Sequence, residues 1–370
     1  MKKIIKIVGL ILIVILIIVG IKIGSHQTAT VIGVPLPLTG NSASLAERVK
    51  IAMEIALKDG NALANHKYVL AFEDDKADPQ TEISVYKKLV ELDQAKVLLG
   101  LIKSDPLLAI APIAEKDKTV LLSATAGADK ISDAGDYIFR LIEKANVHGE
   151  TATNFIKEKN IDTVALLTAD ASNAKSYSNA FKIAWLNNNG KLPIELNYKP
   201  DETDFRTTIA KIKSENIKAV YIGVYTAKDA GLITKQLHEQ GFSGIIMASP
   251  AAEAQEFFDT AGSYAEGVYI TASFYDKNAP ESQDFRNKFK AAYNKEADGW
   301  SANGYDSVRI TIDASESCGG MSNPDCIRDY FYHLKNYHGI SGTFSFDAKG
   351  DVIKPVLIKV ARDGKFEVAE

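Results

Sequence analysis

Two short stretches carry the residue types best suited to chemistry, and that chemistry is the capture of an anion. Gly100-Leu101-Ile102-Lys103-Ser104-Asp105-Pro106 leaves an apolar run and enters a helical pattern at Ser104, which also reads as an N-cap. Ser123-Ala124-Thr125-Ala126-Gly127 follows a second apolar run with side chains small enough to let a ligand approach the main chain. In a parallel α/β sheet, ligands bind beyond the carboxyl ends of the strands, where helix N-termini offer free N–H groups. Ser104, Ser123 and Thr125 would there present hydroxyls and amides to a carboxylate, with Lys103 assisting and Asp105 opposing. The same residues have a plainer use: Ser104 caps its helix, and residues 123–125 shape a turn.

Other chemistries have no foothold. No GxGxxG follows a strand, and GxxxxGK[ST], GxSxG and HExxH are all missing. The six histidines are scattered, and His333 and His338 fit no metal-ligand spacing with the upstream cysteines. Asp74, Asp75 and Asp78 suggest calcium, but a strand end followed by an Asp78–Pro79 helix start explains them more simply. The expectation is therefore a binding protein without catalytic residues, cofactor or metal.

The elements that must position the two loops alternate regularly. Residues 31–36, 68–73, 96–99 and 120–122 read as strands, and 46–59, 79–91 and 105–115 as helices between them. The pattern restarts after Asn146. Strands are expected at 163–167, 192–197, 219–223, 244–248 and 268–272. Helices are expected at 176–188, 204–215, 228–240 and 252–261, with Gly190 and Gly241 as left-handed C-caps. Further helical stretches fall at 282–293, 301–317 and 327–335, and a closing hairpin at 342–346 and 352–360. Such alternation predicts parallel sheets covered on both faces. The 370 residues suit two packed α/β units, with no low-complexity linker between them.

The first 26 residues differ from the rest. Lys2, Lys3 and Lys6 precede an uncharged run from Ile7 to Ile21, and Lys22 follows it. With the lysine stems snorkelling, this stretch is long enough to span a bilayer, its basic end inside and the bulk of the chain outside. The run ends without an Ala-x-Ala-like site, which favours an uncleaved anchor over a cleaved signal; export follows on either reading. Removing these four lysines takes the net charge from −4 to −8, so a nucleic-acid partner is not expected. Cys318 and Cys326 are the only cysteines, and Gly319, Gly320, Asn323 and Pro324 between them can turn the chain back. Outside the cytoplasm they are expected to form a disulfide, two separate thiols being the alternative.

At the two polar loops the chain resembles the type I periplasmic solute-binding proteins of the leucine/isoleucine/valine-binding kind. Gly33-Val34-Pro35-Leu36-Pro37-Leu38-Thr39-Gly40 is similar to that family's first strand and ligand loop. Asp204-Phe205-Arg206, Glu266-Gly267-Val268-Tyr269, Gly304-Tyr305-Asp306-Ser307-Val308 and Phe346-Asp347-Ala348-Lys349-Gly350-Asp351 occur in the family's order. The resemblance implies two Rossmann-like lobes joined by a three-stranded hinge, behind an N-terminal transmembrane helix in residues 1–28. Lobe 1 would take 29–141 plus 273–340, and lobe 2 142–272 plus 341–370, with crossings near Leu141, Ala272 and Ile340.

The resemblance also implies a role for each site residue. Ser104, Ser123 and Thr125 would hold the ligand carboxylate, Tyr225 would approach from lobe 2, and Leu45 and Asn173 would stand at the family's first-loop and second-lobe positions. The acid that pairs an α-ammonium is out of register here. Glu253 and Asp170 are the nearest candidates. The function implied is that of a substrate-binding component of an ABC-type importer, handing a small polar solute, of branched-chain amino-acid type, to a permease in the membrane. The alternative is a sensor of the same fold that binds an amide or short carboxylate and signals through a membrane partner.

Overall fold

Strand β1 (Thr30–Leu36) is buried from its third residue onward, and its apolar run leaves no solvent face, as a parallel strand covered on both sides requires. The structure, a computed structural model, describes residues 29–200, 202–215 and 217–369. The anchor expected in residues 1–28 lies outside them, with only residue 29 of the expected first lobe preceding β1. Among the described residues, no helix is long and apolar enough to cross a membrane.

In the first half, β1 is followed by α1 (Ala43–Leu63), β2 (Tyr68–Asp74), α2 (Pro79–Lys87), β3 (Val97–Gly100), α3 (Ser104–Asp117), β4 (Val120–Ser123) and β5 (Ile138–Arg140). The strands form a five-stranded parallel sheet in the order β2-β1-β3-β4-β5. Asp78 caps α2 by accepting from the Thr81 N–H at 2.7 Å, with Pro79 at the first helical position. Ser104 is not a cap. Lys103 occupies that position without a side-chain bond, and Ser104 is the first helical residue.

The second half holds α4 (Ala145–Glu158), β6 (Thr163–Ala169), α5 (Ser172–Asn187), β7 (Lys191–Tyr198), α6 (Arg206–Ser214), β8 (Ala219–Gly223), α7 (Ala227–Glu239), β9 (Ile245–Ala248), α8 (Gln255–Ala261) and β10 (Tyr269–Ser273). Helix α4 was not foreseen from the sequence. At the end of α5, Asn189 and not Gly190 is left-handed (φ 58°); Gly190 is needed because Trp185 packs where a Cβ would stand, 2.2 Å away. Gly241 does adopt the left-handed conformation, at φ 79°.

Three helices come next, α9 (Pro280–Tyr293), α10 (Gly299–Ser317) and α11 (Pro324–His333). Cys318 and Cys326 are joined by a disulfide across the turn between α10 and α11, their Cα atoms 6.0 Å apart. The chain ends in β11 (Tyr337–Gly339), β12 (Gly342–Phe346), β13 (Val352–Ile353), β14 (Val356–Arg362) and β15 (Lys365–Val368). β14 joins β10 antiparallel, so the second sheet has seven strands in the order β15-β14-β10-β9-β8-β6-β7.

The expected closing hairpin forms only beside its turn: β12 pairs antiparallel with β13, and the expected second strand, 352–360, breaks after Ile353 and continues as β14 in the other sheet. Phe344, Phe346 and Val352 lie in the core around β1, whereas Ala361 lies in the core around β8. The third passage between the lobes is therefore at Lys354–Pro355 rather than at Ile340, and β11–β13 stay with the first lobe. One polar residue from each passage meets at the hinge. Ser273 Oγ donates to Glu143 Oε2 at 2.6 Å, and Lys354 Nζ stands 3.8 Å from Glu143 Oε1. Lys354 also donates to Asn303 Oδ1 at 2.7 Å. Burial opposes ionisation of Glu143, but Lys354, His148 and Ser273 outweigh it and hold the carboxyl below its usual range.

Candidate functional site

The carboxyl ends of β3, β4, β8 and β9 face each other across the space between the lobes, and the helices that follow three of them start there. The cleft they line has a volume of about 70 Å3. That is room for roughly 5–7 water-sized volumes, so it suits a compact solute. Its walls come from α1, from the starts of α3, α5 and α7, from the loops after β4 and β9, and from Trp300.

Ser104 and Thr125 line the cleft from the first lobe. Ser104 Oγ accepts the Ala128 N–H at 3.1 Å, which leaves its own proton to donate. Thr125 Oγ1 donates to the Ile102 carbonyl at 3.0 Å, so its proton is committed to the lobe. Ser123 is fully buried and does not line the cleft. Its Oγ donates to Leu101 O at 2.8 Å and accepts from the N–H groups of Ala126 (2.8 Å) and Thr125 (3.2 Å), so it holds the turn together. The expected ligand role of Ser123 is replaced by this structural one.

Leu45 of α1, Asn173 of α5 and Tyr225 also line the cleft. Lys103 Nζ lies 4.1 Å from the centre of the Tyr225 ring and donates to the Tyr225 carbonyl at 3.4 Å, a cation–π contact between lobes. Burial pulls the Lys103 ammonium down to about 8, against the opposing pull of Asp229, Asp75 and Asp105. Asp105 bonds to Ser172 of the other lobe, and the Asp129 N–H donates to Ser176 Oγ at 2.9 Å. The lobes therefore touch at the start of α3 and at the loop after β4.

The two acids expected to meet an ammonium are both paired elsewhere. Asp170 is exposed, ion-paired with Lys175, and does not line the cleft. Glu253 does line it but is buried and ion-paired with Lys359 of β14. Burial pushes its carboxyl up, and Lys359 opposes that.

Sequence reasoning missed Arg48, Tyr177, Lys228 and Glu256, which all line the cleft. Arg48 pairs with Asp298, some 250 positions away, and donates from Nη1 to Glu253 O at 3.3 Å. Arg48 and Glu253 thereby form a wall between the cleft and a wider groove of about 630 Å3 around Tyr275 and Phe366. Tyr177 reads in sequence as one more apolar contact of α5. Its ring packs edge-on against His148, and its hydroxyl reaches the loop of the facing lobe, where a Cβ on Gly127 would lie 2.3 Å away. Among the described residues, no group of acids, histidines and cysteines is placed to hold a metal ion.

A family profile described as "Periplasmic binding protein" matches residues 30–365. The Leu/Ile/Val-binding protein homolog 3 of Brucella melitensis is 25% identical over 330 residues, covering 88% of this chain and 89% of that protein. The branched-chain amino acid transporter substrate binding protein LivJ of Streptococcus pneumoniae, solved with isoleucine, superposes with a TM-score of 0.85 at 24% identity, covering 93% of this chain and 99% of that one. An ABC transporter solute binding protein of R. palustris, solved with benzoate, superposes with a TM-score of 0.84 at 18% identity, covering 92% and 95%.

Proposed function

The chain belongs to the periplasmic binding protein family, and from that premise we propose that it captures a small carboxylate-bearing solute in the cleft between its lobes. The family's fold serves solute binding, not catalysis. The observation that carries the reading is Ser104. Its hydroxyl is held in place by the Ala128 N–H, keeps a proton to donate, and sits in the first turn of a 14-residue helix that opens on the cleft. Backbone N–H groups and the positive end of the helix favour an anion at that point. Tyr225 and Asn173 face it from the second lobe, so closure of the lobes would remove the ligand from water and strengthen each polar contact.

The biological role that fits is the extracytoplasmic receptor of an ABC-type importer, passing its solute to a permease in the membrane. The names of the relatives support the transporter link, and their ligands, isoleucine and benzoate, share a carboxylate. The test is a thermal-shift screen of small carboxylates followed by calorimetry on wild type and Ser104→Ala. A hydrogen bond to a charged acceptor contributes about 1.5–3 kcal/mol, so affinity should fall roughly ten- to a hundredfold. Unchanged affinity in Ser104→Ala, with the variant folded, would sink this site.

A further inference from the structure

We infer that Asn303 is a positioning residue that ties the loop after β4 to the hinge, so that Lys354 controls how Thr125 is presented to the cleft. Neither Asn303 nor Lys354 lines the cleft itself. Asn303 stands in the first turns of α10 and is fully buried. A polar side chain there weakens the helix and is tolerated only when hydrogen-bonded. Its two ends have different partners. Nδ2 donates to the Ala124 carbonyl at 3.1 Å, and Oδ1 accepts from Lys354 Nζ at 2.7 Å. A carbonyl only accepts and an ammonium only donates, so these partners fix which way the amide points. A turned amide would lose both bonds at once.

Each partner leads further. The Ala124 carbonyl belongs to the peptide unit whose N–H is that of Thr125, a residue of the cleft wall. The bond from Asn303 therefore sets the tilt of that peptide and the place where Thr125 stands. Lys354 lies in the third passage between the lobes, its ammonium 3.8 Å from Glu143 Oε1 in the first. Glu143 Oε2 in turn accepts from Ser273, in the second, at 2.6 Å. Asn303, Lys354, Glu143 and Ser273 are all buried, so water does not compete for these bonds. Closure of the lobes turns on the same three passages. It is the two-state element that the loop at one end and the hinge at the other can both bias.

The experiment is hydrogen exchange on the full chain, joined by calorimetry with isoleucine and benzoate as probes; only the calorimetry rests on the solute-binding reading. Lys354→Met cuts the hinge end of the tie. Asn303→Asp keeps an acceptor for Lys354 but has no N–H for Ala124, and Asn303→Leu cuts both ends. The amides to follow are those of Ala124, Ala126 and Ala128, bonded to Gly100 O, Ser123 Oγ and Ser104 Oγ. Each variant should speed their exchange about fivefold or more and weaken a bound probe by a similar factor, the lower end of ordinary coupling between sites. Lys354→Met added to Asn303→Leu should change neither further, because the route is already cut. A space-filling or stabilising role predicts otherwise. Asn303→Asp, which gives the buried ammonium a carboxylate, would then leave the loop amides at wild-type rates. Lys354→Met would speed only sheet amides that exchange through global unfolding. Either result overturns the inference, and so does additivity of the two substitutions. Glu143→Gln, which weakens the hinge end without emptying it, replaces Lys354→Met if that variant does not fold, and wild-type loop exchange in it is equally fatal. Binding of neither probe counts against the solute-binding reading alone, and the exchange rates still decide the tie.

Discussion

Gly127→Ala should separate capture of the solute from folding of the lobes. Gly127 lies on the loop after β4 and Tyr177 on α5 of the other lobe, so their contact exists only while the lobes are together. A Cβ on Gly127 would stand 2.3 Å from Tyr177 Oη, 2.9 Å from Cζ and 3.0 Å from Cε2. Ordinary contact begins at 3.4 Å, so the two walls must part by about 1.1 Å at this point. The ring has little room to swing, because it is buried against His148. Overpacking of this kind costs about 1–3 kcal/mol. The whole cost falls on the closed arrangement, so apparent affinity should drop roughly 5- to 150-fold. The open, unliganded lobes escape the clash by staying apart, and their melting temperature should not move. Calorimetry with the solute found by screening gives the affinity, and small-angle scattering gives the compaction on binding. Wild-type affinity and compaction in Gly127→Ala would refute the reasoning. So would a lowered melting point of the unliganded variant, which would place the clash inside a lobe.

Replacing Cys318 and Cys326 together by serine should lower unfolding free energy by roughly 2–3 kcal/mol, the loop-closure value for so short a link; denaturant titration of wild type and variant checks it, and equal midpoints would contradict it. Glu316 supplies a pH test. Burial opposes its ionisation, but hydrogen bonds from Tyr68, Asn65 and His66 outweigh burial and lower the carboxyl to about 2. Its folded pKa is thus depressed, so its stabilisation is fully present above the unfolded value near 4.5 and is lost as pH falls from there toward about 2. Urea titrations across that window should show a steeper loss in wild type than in Glu316→Gln, and parallel losses would argue against it.

How much could be read from the sequence depended on how local each signal was. Strand–helix alternation located most elements of the two sheets, because apolar runs and caps such as Asp78–Pro79 act over a few residues. Strand β5 has three residues, too short for any periodicity to register. Helix α4 does carry a legible pattern, with His148, Ala152 and Ile156 buried four residues apart, and should have been found. Residues 352–360 alternate like one strand, and only the Pro355 break, which removes a main-chain donor, hints that two sheets share them. In the cleft, Ser104, Thr125 and Tyr225 were legible because they follow strand ends, where such sites lie. Arg48 and Tyr177 were not, since each sits mid-helix and becomes a cleft residue only through partners far away in sequence. Glu253 and Asp170 misled for the same reason: their counter-ions, Lys359 and Lys175, decide what they are free to bind.

The passage at Lys354–Pro355 also fixes when the protein can fold during its own synthesis. The first core needs Phe344, Phe346 and Val352, and β10 of the second sheet pairs with β14, residues 356–362. A ribosome that has released the chain only up to β11 has therefore delivered two open cores, neither of which can close. Helix α1 likewise waits for its main partner α10, which begins only at Gly299. Pairings across such sequence distances slow folding, because loop-closure entropy must be met before the contacts form. The nascent chain thus stays threadable until β14 has been made, a property that suits a periplasmic binding protein.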